Sequence, residues 1–312
     1  MYNYTSNGDT YFMLVRKFLN PKNDIAFKRI FGTERNKDIL LHFVNDILSG
    51  CKDQAKIKNL EFIPTISVPD IAVNRVSIVD IMCEDAEGKK IIIEMQVISD
   101  KEYLKRAQYY ASRAYINQRT KDVHYKNLKE VIFIAICQKS ILYNHDDYIS
   151  YHQILELNTK ERHLKDFSYT FIELDKFNKN TTQLKSMLDK WIYFFKHAED
   201  GDSFPSNLKE EKYIHRALEE LNSFNWTNEE IMAYEHLDAE IETYENVINT
   251  IKEQGIQQGI QQGIEQGIEQ GKRETQRALV CKMLKAGLEI TLIASLSNFS
   301  VTEIQKIQKT IK

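Results

Sequence analysis

The fold of this 312-residue chain is decided by one stretch, IVDIMCEDAEGKKIIIEMQVI, at residues 78–98. Two runs rich in β-branched residues, Ile78 to Cys83 and Ile91 to Ile98, flank a polar connection that contains Gly88. This composition is typical of a strand, a turn and a second strand. The favoured three-residue hairpin loop ends on a residue in the left-handed region, which glycine adopts without steric cost. The loop Ala86-Glu87-Gly88 therefore predicts a tight antiparallel hairpin.

The register of this hairpin brings two acidic residues together. With Gly88 closing the loop, Asp80 lies opposite Glu94, on the face that also carries Met82 and Ile92. Directly opposed Cβ atoms are roughly 4.5 to 5.5 Å apart, where like charges repel, and a buried unpaired carboxylate costs several kcal/mol. A divalent cation between the carboxylates would offset this repulsion and could activate water for phosphodiester hydrolysis. The alternative is a pair of surface acids neutralised by nearby lysines, which the apolar neighbours disfavour.

A second aspartate competes for the role of first metal ligand. Asp70 follows Pro69, in a stretch interrupted by Pro64 that is typical of an edge strand or an irregular approach to a sheet. Asp80 is preferred because the hairpin register places it across from Glu94. Asp70 lies before the Asn74-Arg75 break.

Composition limits the classes of protein that fit. With 42% hydrophobic and 28% charged residues, the chain can bury a substantial core. No apolar run of about 18 residues and no secretory signal pattern is present, which predicts a cytoplasmic protein. The four cysteines show no CxxC spacing, which argues against a zinc site or a disulfide framework.

Any charge that binds nucleic acid must be local, because the net charge is −3 and the pI is about 6.3. Basic residues cluster on both sides of the hairpin, and a solvated helical face explains them as well as phosphate contact does. These residues are Lys22, Lys28, Arg29, Arg35, Lys37, Lys101, Lys105, Arg106, Arg113 and Arg119.

The pattern around the hairpin predicts a sheet covered by helices. Before it, Asn23 or Asp24 can cap a helix that ends near Gly32, and a second helix follows at about residues 37–48. After it, residues 100–118 have helical periodicity with Asp100 as a cap, and an apolar strand follows at residues 131–137. Further strands are predicted at residues 148–157 and 167–174, and a helix is predicted at residues 181–197.

The chain divides into five predicted regions. Residues 1–18 are polar and expected to be flexible, and residues 19–200 form the main domain, which ends at a break rich in Asp, Gly and Pro. Helices follow at residues 209–221 and 228–253 within a helical region at 206–253, then a repeat of Gly-Ile-x-Gln type at 254–272, and a small helical bundle at 273–312 that resembles a helix-turn-helix.

The repeat GIQQGIQQGIEQGIEQG, Gly255 to Gly271, places five of the chain's eleven glycines at four-residue intervals. On a helix the glycines and isoleucines form two slowly winding stripes. Each glycine costs about 1 kcal/mol relative to alanine in an isolated helix, so a partner is expected against the bare stripe. The repeat predicts a homo-oligomer, and a flexible linker is the alternative.

Three landmarks in order carry a family resemblance: LNPKNDIAFKRIFG at residues 19–32, IEMQV at residues 93–97 and the glycine-repeated tail. Together they resemble the recombination-promoting nucleases, or PD-(D/E)XK nuclease family transposases. The resemblance implies an α/β fold of restriction-endonuclease-like type, with a mixed sheet flanked by helices and an all-α C-terminal extension. It also implies a metal-dependent DNA endonuclease that uses Mg²⁺, which Mn²⁺ could replace.

The resemblance also assigns roles to residues. Asp80 and Glu94, with the main-chain carbonyl of Met95, would hold the metal ion. Gln96 stands where the superfamily usually has lysine; its amide can orient the attacking water but cannot supply positive charge. Supporting or phosphate-contacting positions are Asp24, Lys28, Arg106 and Tyr110; the alternatives are a helix-capping role for Asp24 and a core position for Tyr110.

Two other classes of protein fit the same sequence. One is a DNA-binding or assembly protein of this fold whose catalysis is weak or lost. The other is an oligomeric scaffold with no nucleic-acid role.

Overall fold

The protein is described by a computed structural model that covers residues 2–6, 9–13, 16–51, 54–65, 79–98, 100–119 and 123–311. The strands are β1 (Tyr2–Ser6), β2 (Asp9–Met13), β3 (Leu60–Phe62), β4 (Ile81–Asp85), β5 (Lys90–Gln96), β6 (Val131–Cys137), β7 (Ile149–Gln153) and β8 (Phe167–Glu173). Six of them form one mixed sheet in the order β3-β4-β5-β6-β8-β7. The central pairs β5-β6 and β6-β8 are parallel and the other pairs are antiparallel.

The β4-β5 hairpin has the predicted register. Met82 pairs with Ile92, and Gly88 has a φ of +87°, the left-handed conformation that the loop requires. The loop is closed by the Gly88 N–H, which donates to the Asp85 carbonyl at 3.0 Å. Asp80 lies one residue before β4 and stays beside β5, because its carboxylate accepts the main-chain N–H of Met95.

Helices cover both faces of the sheet. The helices are α1 (Asp24–Phe31), α2 (Lys37–Leu48), α3 (Tyr103–Ile116), α4 (Met187–His197), α5 (Ser206–Lys209), α6 (Lys212–Glu220), α7 (Asn228–Lys285), α8 (Ile290–Leu296) and α9 (Val301–Ile311). Because side chains alternate along β5, Ile91 and Ile93 pack into one core with residues of α1, α2, α4 and α6, while Ile92 packs into a second core with α3. The face that carries Ile92 is the one that carries Glu94.

Several predicted elements have different bounds. The helix expected at residues 181–197 begins only at Met187, because Ser186 and Asp189 form a capping box there. The helix expected at residues 209–221 corresponds to α6, and α5 precedes it and ends at Lys209. The strand expected at residues 148–157 is confined to β7. Asp70, the rival aspartate, lies outside the described residues.

The N-terminal region, which is predicted to be flexible, contains two strands that were not predicted from the sequence. Residues Tyr2–Ser6 and Asp9–Met13 pair as an antiparallel hairpin. The signal was present in the sequence, because tyrosine and threonine favour strands and Asn7-Gly8 is a favoured hairpin dipeptide.

The chain forms two compact units, Met1–Ile241 and Glu242–Lys312. The boundary predicted after residue 200 does not coincide with the boundary between them. The reason is that Leu208, Ile214 and Ile231 pack into the same core as the sheet. These contacts make α5, α6 and the start of α7 part of the first unit.

α7 runs without interruption from Asn228 to Lys285, across the predicted boundaries at residues 253 and 272. No proline interrupts this segment, and Glu, Gln and Lys are good helix formers. Gly287, two residues beyond the last residue of this helix, has a φ of +80°, the left-handed conformation typical of a residue that follows a helix. In the second unit, Val280 packs with residues of α8 and α9, and Ser300 and Glu303 cap α9 reciprocally. Among the described residues, no helix combines the length and apolarity needed to span a membrane.

Candidate active site

Glu94 is the most perturbed acid of the hairpin. Its side chain lies on the β5 face that α3 covers and is 7% exposed, and its buried oxygen Oε1 has no hydrogen-bond partner among the described residues. Burial, together with the negative charge of Asp80, raises the pKa of Glu94 to about 8. An ionised carboxylate with an unpartnered oxygen in such a place requires a cation or a proton.

Asp80 shares this environment but is better satisfied. Its Oδ2 accepts the Met95 N–H at 2.8 Å, and its Oδ1 lies 3.6 Å from Nζ of Lys28. Burial raises the pKa of Asp80, although the Met95 hydrogen bond and the Lys28 charge act in the opposite direction. The structure thus brings the two predicted metal ligands together on the same side of the sheet.

Asp24 joins the two acids from α1. The cap of this helix is Asn23, whose side chain accepts the N–H of Ile25, so the carboxylate of Asp24 is not used for capping. Burial and the charge of Asp80 raise the pKa of Asp24 to about 6. Of the two roles that the sequence left open, the structure favours membership of the acid cluster.

α3 contributes the remaining side chains. Tyr103, Arg106 and Tyr110 are spaced i, i+3 and i+7, so they share the side of the helix that faces Glu94. The charge of Arg106 lowers the pKa of Glu94, and burial and Glu94 raise the pKa of Tyr110. In the ranges that the structure describes, the buried hydroxyl of Tyr103 has no hydrogen-bond partner. Tyr103 was not among the site residues predicted from the sequence, although its helical spacing from Arg106 and Tyr110 was the available signal.

Gln96 is hydrogen-bonded at both ends of its amide. Oε1 accepts a hydrogen bond from Nη2 of Arg106 at 2.7 Å, and Nε2 donates to the main-chain carbonyl of Ile98. The predicted role of Gln96, orienting the attacking water, competes with these two contacts.

Most of the other basic residues near the hairpin are engaged within the protein. Lys22 bonds the Phe195 carbonyl and Glu199, and Arg29 bonds Glu220 and Glu230. Both side chains are mostly buried. Two of the remaining basic residues form ion pairs, Arg35 with Glu220 and Lys37 with Glu34. Arg113 and Arg119 lie over tyrosine rings. Lys101 and Lys105 are exposed.

The donor set fits a hard divalent cation that is completed by other ligands. In the described ranges, no three or more His, Cys, Asp or Glu side chains are grouped so as to hold a metal ion. Mg²⁺ nevertheless binds through one or two carboxylates and takes water and substrate phosphate oxygens for its other positions. The orphaned oxygen of Glu94 beside Asp80 supplies the carboxylate part of such a set.

A mixed six-stranded sheet between helices, with paired acids on the hairpin that leads into its parallel strands, defines a PD-(D/E)XK fold. The chain belongs to the PD-(D/E)XK nuclease family transposases, since the model of that family matches residues 21–250. The predicted fold and family are confirmed. No curated protein and no solved structure shows a significant match to the chain.

Proposed function

We propose that this protein is a metal-dependent DNA endonuclease that hydrolyses phosphodiester bonds. Membership of the nuclease family supports the reaction class. The observation that carries the proposal is the buried Oε1 of Glu94, which has no hydrogen-bond partner within the described part of the chain and lies in the repulsive field of the Asp80 carboxylate. A cation with DNA as its further ligand would satisfy this oxygen.

Each residue has a defined part in the proposed reaction. Asp80 and Glu94 would hold Mg²⁺, or Mn²⁺ in its place, and the Met95 N–H keeps the Asp80 carboxylate oriented. When bound, the metal ion would polarise the scissile phosphate and lower the pKa of the attacking water. Asp24 adds negative charge to the site, and Lys28 and Arg106 bring positive charge beside it.

The alternative is a DNA-binding or assembly protein of the same fold with weak or lost catalysis. It is favoured by the Lys28 ammonium beside Asp80, which partly neutralises this acid without a metal ion. It predicts that DNA is retained and stays intact.

The two functions are separated by incubating the purified full chain with supercoiled plasmid and Mg²⁺. The controls are EDTA, Asp80→Ala and the matched exposed variant Asp146→Ala. The endonuclease relaxes or linearises the plasmid, EDTA and Asp80→Ala abolish this, and Asp146→Ala leaves it unchanged. A shift of intact DNA in a binding gel supports the alternative. Absence of both cutting and binding contradicts both.

We also propose that the protein self-associates through the repeat in α7. The four isoleucines of the repeat are 52% to 63% exposed: Ile256, Ile260, Ile264 and Ile268. No described atom beyond the local helix backbone lies within 4 Å of a Cβ placed on any of the five glycines. An exposed apolar stripe beside a bare glycine stripe is suited to close packing with a second copy.

A further inference from the structure

The guanidinium of Arg106 is held in place by three contacts. Nη2 donates to Oε1 of Gln96 at 2.7 Å, and Nη1 donates to Oδ2 of Asp100 at 2.9 Å. Its Cζ lies 5.2 Å from the centre of the Tyr103 ring, within the range of a cation–π interaction. Asp100 is itself anchored, because its other oxygen accepts the N–H of Glu102 at 2.8 Å. Arg106 is therefore oriented before any substrate binds.

The chemistry of the partners determines how the Gln96 amide is turned. Arginine has only donors and a main-chain carbonyl has only acceptors, so the oxygen must face Arg106 and the nitrogen must face Ile98. The side chain is thereby aligned with Arg106.

We propose that Arg106 is the phosphate-binding cation of this site, and that Gln96 is a positioning residue that acts through Arg106. The proposal rests on the proposed nuclease function and assigns the positive charge that glutamine at position 96 cannot supply. The guanidinium uses two of its five N–H groups in the contacts above, and the side chain is 37% exposed. The remaining donors can form paired hydrogen bonds to the non-bridging oxygens of a phosphodiester.

Lys28 is the competing cation, and its geometry is less suited to the task. Its ammonium lies 3.6 Å from a carboxylate oxygen of Asp80, and its flexible side chain is 43% exposed. A cation that is fixed before the reaction stabilises developing charge better than one that must be ordered during it.

The test measures kcat and KM for DNA cleavage in the full chain with Mg²⁺. Arg106→Gln is expected to lower kcat about 100-fold, as the loss of one preorganised donor typically does. Gln96→Ala is expected to lower it about 10-fold, and the double variant should be no slower than Arg106→Gln alone, because Gln96 acts only through Arg106. Lys165→Gln, an equal charge change at an exposed position, is the matched control and should stay within about twofold of wild type.

A gain-of-charge variant makes the test independent of loss of structure. Gln96→Lys places an ammonium at the position of the missing lysine, so in this background Arg106→Gln should lower kcat by less than about fivefold. If the kcat of the double variant instead fell by the product of the two single-variant factors, Gln96 would act independently of Arg106, and the proposal would be overturned. A rate for Arg106→Gln within threefold of wild type would also overturn the proposal.

Binding provides a readout that does not require turnover. With Ca²⁺ in place of Mg²⁺, the salt dependence of duplex binding should become shallower by about 0.9 in log–log slope for Arg106→Gln and should not change for Gln96→Ala. A wild-type protein that binds without cutting overturns the endonuclease function, and the slope then decides the Arg106 contact. A protein that neither binds nor cuts overturns both proposals. Normal cutting by wild type and by Arg106→Gln overturns only this one.

Discussion

Replacing Glu94 with glutamine removes a carboxylate that is 7% exposed and has one oxygen with no hydrogen-bond partner in the described structure. The folded protein holds the pKa of Glu94 at about 8, above its ordinary value of 4.5. Between these two pH values the folded state binds more protons than the unfolded state. The stability contributed by the protonated Glu94 side chain is therefore fully present below pH 4.5 and is lost as the pH rises through 8. At ~1.36 kcal/mol per pKa unit, this rise in the pKa of Glu94 corresponds to a loss on the order of 5 kcal/mol in the free energy of unfolding when the pH is raised from below 4.5 to above 8.

We therefore expect Glu94→Gln to stabilise the metal-free protein at pH 8.5 by at least ~2 kcal/mol and to change it little at pH 4.5. Urea unfolding with EDTA, followed by tryptophan fluorescence, measures this directly. Both tryptophans, Trp191 and Trp226, lie in the unit Met1–Ile241, so the signal reports the unit that contains the site. Adding Mg²⁺ at pH 8.5 should stabilise wild type and leave Glu94→Gln unchanged.

Glu130 provides a control of opposite sign. Its carboxylate is also mostly buried but pairs with Arg162 at 2.7 Å and accepts a hydrogen bond from Ser168, so Glu130→Gln should destabilise the protein across the same pH range. If Glu94→Gln were less stable than wild type at pH 8.5 with an unchanged pH slope, the reasoning about a buried, uncompensated carboxylate would be refuted.

Three further predictions concern the neighbouring acid, the hairpin and the repeat. Asp24→Asn should raise metal-free stability above pH 7 by ~1 kcal/mol, because the pKa of Asp24 is raised to about 6; the same urea titration measures it, and a loss of stability would contradict it. Gly88→Ala should cost ~1 kcal/mol, because φ at this position is +87°, and an unchanged urea midpoint would contradict that conformation. Gly263→Leu should lower the oligomer mass measured by light scattering while far-UV circular dichroism keeps its helical signal. The control Gln261→Leu, 200° around the helix, should keep the wild-type mass, and equal behaviour of the two variants would argue against a glycine-lined interface.

Sequence patterns predicted those helices and strands that are specified by residues close together in the chain. The β4-β5 hairpin follows from two β-branched runs and a glycine in the loop, and the pairing of Met82 with Ile92 confirms its register. The same logic predicted α3. It did not predict the strands β1 and β2 in the N-terminal region, although tyrosine and threonine, which favour strands, are present there.

The sequence alone determined that Asp80 and Glu94 share one face, because side-chain alternation along strands follows from backbone geometry. Tertiary structure alone decided that Glu94 is buried with an unpartnered oxygen, that Asp24 joins it from α1, and that Gln96 turns toward Arg106. The physical reason is that sequence patterns record only local interactions, between residues close together in the chain. Periodicity records which side of an element is apolar, whereas burial, pKa and hydrogen-bond partners depend on what segments distant in the chain place against that side.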